Sequence, residues 1–176
     1  MPETTVAAII RKGEPQNYKI LLTQRKKPPF SQMFCLPGGH IEPFEHSKTA
    51  VIREVFEETG LNFRNPTFIG KHEEMYRDTN THNISLFYIG DAEGTITIQQ
   101  DEVLDFKWIT INEAKNFELA FDHHLALARL LIENTSIPER LTTNIISDLC
   151  KVPEFHSHIK MANKDWICCP YCTVPI

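Results

Sequence analysis

The distribution of apolar and polar positions along the chain marks short strands first and helices later. Val6–Arg11 is an aliphatic run of the kind that forms a buried strand. Gly13–Asn17 contains Gly, Pro and Asn and predicts a turn, and Tyr18–Gln24 predicts a second strand, so the chain opens as a hairpin with a longer loop. Lys26–Gln32 (KKPPFSQ) predicts a loop, because its prolines fix φ and remove backbone donors. A brief strand at Met33–Leu36 precedes Pro37, Gly38 and Gly39. Ser47–Thr59 is rich in good helix formers and ends at Gly60, a residue suited to the left-handed conformation that closes a helix. Thr67–His72, Ile84–Asp91 and Phe106–Ile109 predict further strands, and Thr110–Glu113 has the spacing of a capping box. Asp122–Glu133 predicts a second long helix with Leu125, Ala128, Leu131 and Ile132 on one face.

Beyond Asn134 the periodicity fades. Ile145, Ile146 and Leu149 fit the apolar side of one more short helix, and Val152–Ile176 has no clear period. Strands, a helix, more strands and a second helix predict an α/β (α+β) domain built on a mixed sheet with helices on its faces. The expected boundaries are 1–134 for the domain and 135–176 for a C-terminal extension.

Composition narrows the function. With 176 residues, 41% hydrophobic and 23% charged, the chain can bury a real core. A net charge of −5 argues against nucleic acid as a partner, but not against a polyphosphate bound through divalent cations. No signal peptide and no run of 18 apolar residues is visible, so no membrane association is expected. Five cysteines, an odd number without a framework pattern, point to a reducing, cytoplasmic location.

The chemistry concentrates in Gly39–Leu61, GHIEPFEHSKTAVIREVFEETGL. On a helical wheel Glu58 falls about 40° from Glu54, and Glu57 about 60° to the other side. Ile52, Val55 and Phe56 fall opposite, so the expected helix buries that face and presents three carboxylates on the other. Like charges at i,i+4 weaken a helix, and a sequence that keeps Glu54 and Glu58 there has something positive to place between them. All-oxygen ligands suit a hard cation, Mg²⁺ or Mn²⁺. Arg53 stands i,i+4 to Glu57 and can orient it, which leaves Glu54 and Glu58 as the freer ligands.

This segment resembles the Nudix box, G-x5-E-x7-R-E-U-x-E-E-x-G-U, with U a bulky aliphatic residue. Gly39, Glu45, Arg53, Glu54, Val55, Glu57, Glu58, Gly60 and Leu61 occupy every fixed position. The resemblance implies a Nudix fold, a mixed sheet sandwiched between helices. It also implies one to three divalent metals on Glu54, Glu57 and Glu58, with the Gly39 carbonyl as a further ligand. The reaction implied is hydrolysis of a phosphoanhydride in a nucleoside-diphosphate-linked substrate, where metal neutralises the pyrophosphate and activates water. Family members take their base from the box or from a later loop, so Glu54 and Glu102 are both candidates, with Arg53 completing the catalytic set. Glu102 lies in QQDEVLDFKW, just ahead of a predicted strand, where an exposed loop acid is the plainer reading.

The flanks bear on the subgroup. Leu21–Glu42 and Phe117–Leu131 resemble ADP-ribose pyrophosphatases and their regulatory cousins. The SQPWPFPxS pattern of NADH-cleaving relatives is missing, as is a paired CxxC ribbon ahead of the box. The proline that many ADP-ribose enzymes carry past the box is also absent; Tyr76 occupies that region and keeps a diadenosine polyphosphate substrate open. Arg25, Phe30 and Tyr76 are the candidate substrate contacts, against the alternative of loop packing. Asp122 and His123 are expected to cap or anchor the last helix rather than to react.

Three functions are therefore weighed: an ADP-ribose pyrophosphatase, a nucleoside triphosphate or diadenosine polyphosphate pyrophosphatase, and an ADP-ribose-sensing regulator. The intact box opposes the last, as does a segment 134–176 with four basic and four acidic residues. In the extension, His156, His158, Cys168, Cys169 and Cys172 can supply ligands for a structural Zn²⁺. Cys169–Cys172 has a glutaredoxin-like spelling but lacks the strand and helix that chemistry needs. ADP-ribose enzymes of the family are often homodimers, and no feature of the sequence itself shows one.

Overall fold

The computed structural model describes residues 1–13, 18–114, 117–124 and 126–127. β1 (Glu3–Lys12) is the axis of a seven-stranded mixed sheet. Its neighbours are β2 (Lys19–Arg25) and β6 (Thr81–Glu93); β3 (Phe34–Cys35) and β7 (Val103–Thr110) both pair with β2, and β5 (Asn62–Tyr76) closes the far edge. β1 runs parallel to β6 from Glu3↔Asn83 to Arg11↔Asp91. Val6–Ile10 are all buried, as expected of a strand covered on both faces.

β1 and β2 pair only at Arg11↔Ile20 and Lys12↔Lys19. They then diverge, and the short strand β4 (Gly38–His40) takes over the other end of β1 at Thr5↔His40, Val6↔Gly39 and Ala7↔Gly38. This exchange of partners brings two glycines into the sheet directly ahead of helix α1 (Ser47–Thr59).

The helix spans the residues expected of it. Gly60 adopts φ 71° and donates its N–H to the Phe56 carbonyl at 2.8 Å, closing the last turn. The buried face is rotated from the one the helical wheel indicated, and of its three residues only Val55 is buried. Ile52 and Phe56 are 37% and 56% exposed, whereas Ala50, Val51, Val55, Glu58 and Thr59 are buried. The helix docks through its small and β-branched residues, which pack with Val6, Ala8, Ile10 and Leu21. The carboxylate face therefore borders the buried stripe instead of opposing it.

The predicted strands past the helix are extended in the structure. β5 and β6 form one long hairpin with irregularities between Arg64 and Thr67 and between Phe68 and Gly70. The capping box forms: Thr110 N–H donates to Glu113 Oε2 at 2.7 Å and Glu113 N–H to Thr110 Oγ1 at 3.2 Å, opening α2 (Ile111–Ala114). Most of the turn at Gly13–Asn17, most of the helix expected at Asp122–Glu133, the boundary at 134 and the extension with its Cys/His cluster lie outside the described residues. Among the described residues no helix is long and apolar enough to cross a membrane.

Candidate active site

The site begins with two glycines whose reasons differ. A Cβ on Gly38 would collide with the Val6 carbonyl, so β4 can lie this close to β1 only without a side chain there. A Cβ on Gly39 would stand 2.5 Å from Glu54 Oε2, so the bare backbone at 39 makes room for a helix carboxylate.

Arg53 organises the acidic face. Its Nε and Nη2 donate to the two oxygens of Glu45 at 2.9 and 2.8 Å, a two-point grip that ties the loop before α1 to the helix. Nη1 donates to Glu54 Oε1 and to Glu57 Oε2, both at 2.9 Å, and Nη2 also reaches the His40 carbonyl at 3.0 Å. The Arg53 hydrogen bonds, with a backbone N–H at Glu42, hold Glu45 down at about 2, so it is charged at any working pH. The sequence reading gave Arg53 to Glu57 and left Glu54 free; the structure shows Arg53 binding both, because its Nη1 sits between them.

Glu58 has a different environment. It is buried, and Gly38 N–H donates to its Oε2 at 3.3 Å. Burial first, and the neighbouring Glu54 second, push it up to about 8, against opposing contributions from the Gly38 N–H and Arg25. Glu54 is also raised, chiefly by burial, with Arg53 pulling the other way. Two carboxylates that resist ionisation together are a place where added positive charge is favourable.

Gly39, Arg53 and the three helix carboxylates line a cleft of about 880 Å³, with Arg25 and Glu102 on it as well. Glu102 is partly exposed and ion-paired to Lys27 at 2.8 Å, and its charge reaches both Glu54 and Glu58. Arg25 donates from Nε to the Pro29 carbonyl at 3.0 Å and lays its guanidinium 4.8 Å over the Phe121 ring. Phe30 and Tyr76 are absent from the cleft lining. They meet edge to face at 5.0 Å and both flank Phe121, the aromatic ring that lines the cleft. Their contacts are those of packing behind a wall.

The structure adds residues that sequence reasoning missed, Thr5, Glu74, Asn83 and Ser85, and brings His123 onto the same cleft. Glu74 is 1% exposed, and burial raises it to about 7. His123 is buried; its Nδ1 accepts the Leu36 N–H at 3.0 Å, and burial lowers it to about 3. Asp122 pairs with His72 at 2.9 Å, so Asp122 anchors the segment to β5 while His123 ties it to the link between β3 and β4.

The donor chemistry suits a hard cation. Carboxylate oxygens of Glu54 and Glu58 stand beside the bare backbone of Gly39 and Gly38, and with Glu57 they make an all-oxygen set that suits a hard cation such as Mg²⁺ or Mn²⁺. Among the described residues no three His, Cys, Asp or Glu side chains are gathered as a ready-made metal centre.

Residues 1–131 match the family model described as NUDIX domain. An ADP-ribose pyrophosphatase from Methanocaldococcus jannaschii is 37% identical over 122 residues, 69% of this chain and 69% of its own length. An ADPR-responsive transcriptional repressor, NtrR, from Acinetobacter baylyi is 26% identical over 126 residues, 70% of this chain and 50% of the repressor. Among solved structures, the NUDIX domain of Shewanella oneidensis NrtR complexed with ADP ribose superposes with a TM-score of 0.67 at 26% identity, covering 77% of this chain and 90% of that one.

Proposed function

The chain belongs to the Nudix hydrolase family, and from that premise we propose that it hydrolyses ADP-ribose, or a close ADP-sugar, to AMP and a sugar phosphate with the help of Mg²⁺ or Mn²⁺. The observation that carries this reading is the complete carboxylate cleft in a chain 37% identical to an ADP-ribose pyrophosphatase over most of its length.

Glu54, Glu57 and Glu58, with the Gly39 carbonyl, are the proposed cation ligands. A divalent cation there supplies charge neutralisation for the pyrophosphate and activation of the attacking water. The rest is the work of this chain. Arg53 fixes the rotamers of Glu54 and Glu57 and ties them to Glu45, so their carboxylates hold position when charge develops in the cleft. Arg25 and Lys27 bring positive charge for phosphate oxygens. Glu54 and Glu102, the latter on the same cleft and held by Lys27, are the two proposed bases. The proposed substrate contact is Arg25 directly, with Phe30 and Tyr76 acting through Phe121.

A second reading is an ADP-ribose-sensing regulator, favoured by the likeness to the Acinetobacter repressor. The intact acidic set favours catalysis. The proposal extends to catalysis within residues 1–134 on a small nucleotide, in a cytoplasmic protein that binds neither nucleic acid nor membrane. A structural Zn²⁺ in 135–176 is a separate proposal, read by elemental analysis of the purified protein.

The test is a panel of ADP-ribose, ADP-glucose, NADH, diadenosine polyphosphates and nucleoside triphosphates, ranked by kcat/KM with Mg²⁺ and again in EDTA. ADP-ribose should lead, and EDTA should abolish turnover. A triphosphate or dinucleoside polyphosphate ahead by tenfold, about 1.4 kcal/mol in transition-state binding, defeats the substrate assignment. Binding of ADP-ribose with no cleavage of any substrate makes the regulator the better reading.

A further inference from the structure

The floor of the cleft, away from the helix, holds a second polar group that the metal chemistry does not use. Glu74 and Asn83 are directly opposed on the β5–β6 hairpin, and Ser85 follows on the same face of β6. Thr5, paired in register with Ser85, shares a 2.6 Å hydrogen bond with it. Glu74 Oε2 receives a long hydrogen bond of 3.5 Å from Asn83 Nδ2, and the Glu74 carboxyl also interacts with the Ser85 hydroxyl. Glu74 Oε1 is buried and has no hydrogen-bond partner among the described residues. Facing it is His123 Nε2 at 4.0 Å, beyond hydrogen-bond reach. The His123 Nδ1 already accepts the Leu36 N–H, so Nε2 is the nitrogen assigned the hydrogen.

A buried carboxylate oxygen without a donor is costly, and native interiors rarely keep one without use. We propose that Glu74, supported by Asn83 and Ser85, is a specificity residue whose Oε1 accepts a hydrogen bond from an N–H or O–H of the substrate's nucleoside half. This rests on the functional reading above. The chemistry of the floor selects the group: the Asp122 charge beside Glu74 disfavours phosphate, and a buried acceptor suits a neutral donor. Two parts of the nucleoside carry such donors, the exocyclic amine of the base and the ribose hydroxyls. A site built around a buried acceptor discriminates strongly against ligands that lack the donor, because the acceptor is then left unpaired.

The experiment uses the full chain with Mg²⁺ and compares wild type, Glu74→Gln and Glu74→Leu. The substrates are ADP-ribose, its purine-riboside counterpart without the amino group, and its 2′-deoxy counterpart. In the wild type one of the two analogues should lose at least tenfold in kcat/KM, which names the donor. In Glu74→Leu the KM for ADP-ribose should rise at least tenfold with kcat within threefold, and the discrimination against that analogue should shrink to within threefold. Glu74→Gln, which keeps the shape and a carbonyl acceptor, should fall between. Unchanged KM in a folded Glu74→Gln and Glu74→Leu overturns the proposal, and so does discrimination that survives both substitutions. If wild type binds ADP-ribose without cleaving it, the functional reading fails by itself. Calorimetric binding of ADP-ribose then decides: tenfold weaker binding by Glu74→Leu supports the subsite, and equal binding overturns it.

Discussion

Replacing Gly39 with alanine separates the placement of one carboxylate from the stability of the fold. Gly39 lies in a strand pairing with Val6 and is not among the residues with positive φ, so alanine can keep the same backbone. The new Cβ would stand 2.5 Å from Glu54 Oε2 and 2.6 Å from Cδ and Oε1. Ordinary contact between such atoms lies near 3.5 Å, so the carboxylate must retreat by about 1 Å. What yields is the end of a flexible side chain, and the fold should lose less than about 1 kcal/mol, a fall in Tm within about 4 °C. The retreat also breaks the 2.9 Å hydrogen bond from Arg53. A misplacement of this size in a catalytic constellation costs about 10²-fold in rate, or about 2.7 kcal/mol. The assay pairs a thermal melt with initial rates at saturating Mg²⁺ on the best substrate of the panel. A variant with kcat within threefold of wild type would refute the placement of Glu54 in the reacting constellation. A variant that melts more than about 10 °C lower would refute the claim that only a side chain moves.

Two further outcomes follow from buried groups. In EDTA the folded chain holds a proton on Glu58 up to about 8, whereas the unfolded chain releases it near 4.5. That contribution to stability is full below about 4.5 and is lost as pH rises towards about 8. Glu74 acts in the same sense up to about 7, and His123 acts in the opposite sense only below its free value of 6.5, so the Glu58→Gln comparison assigns the fall between 7 and 8 to Glu58. Metal-free Tm should fall across that window, Mg²⁺ should raise it most at the upper end, and Glu58→Gln should flatten the profile; a flat wild-type profile contradicts the burial of this carboxyl. Cys35 is buried and its thiol is pushed up to about 12, so peptide mapping after treatment with an alkylating reagent should find it unmodified in the native chain and modified once urea is added. Equal labelling in both states contradicts its burial.

How much of this was legible in the sequence depended on whether a feature was local. Helix α1, its cap at Gly60 and the grouping of Glu54, Glu57 and Glu58 follow from spacing within 14 residues, and all are present. The choice of buried face does not follow from spacing, because it depends on what the helix docks against. Ile52 and Phe56 look like core residues and are exposed, since the sheet offers a close approach only to Ala50, Val51 and Val55. The same inversion occurs at the tip of the β5–β6 hairpin. There Met75 is 57% exposed while Glu74, beside it, is 1% exposed. Hydrophobic alternation would assign the reverse phase, and it ended the predicted strand at His72, before Glu74 was reached. The pairing of Glu74 with Asn83 is set by a hairpin register that passes two irregularities, which no local pattern encodes. Both inversions border the cleft. A run in which the polar residue turns inward and its apolar neighbour outward departs from what folding alone favours, and here each such run places a carboxylate on the cleft wall. A break in hydrophobic phase inside an otherwise regular element is thus itself a signal for the site, one that the box motif alone does not carry.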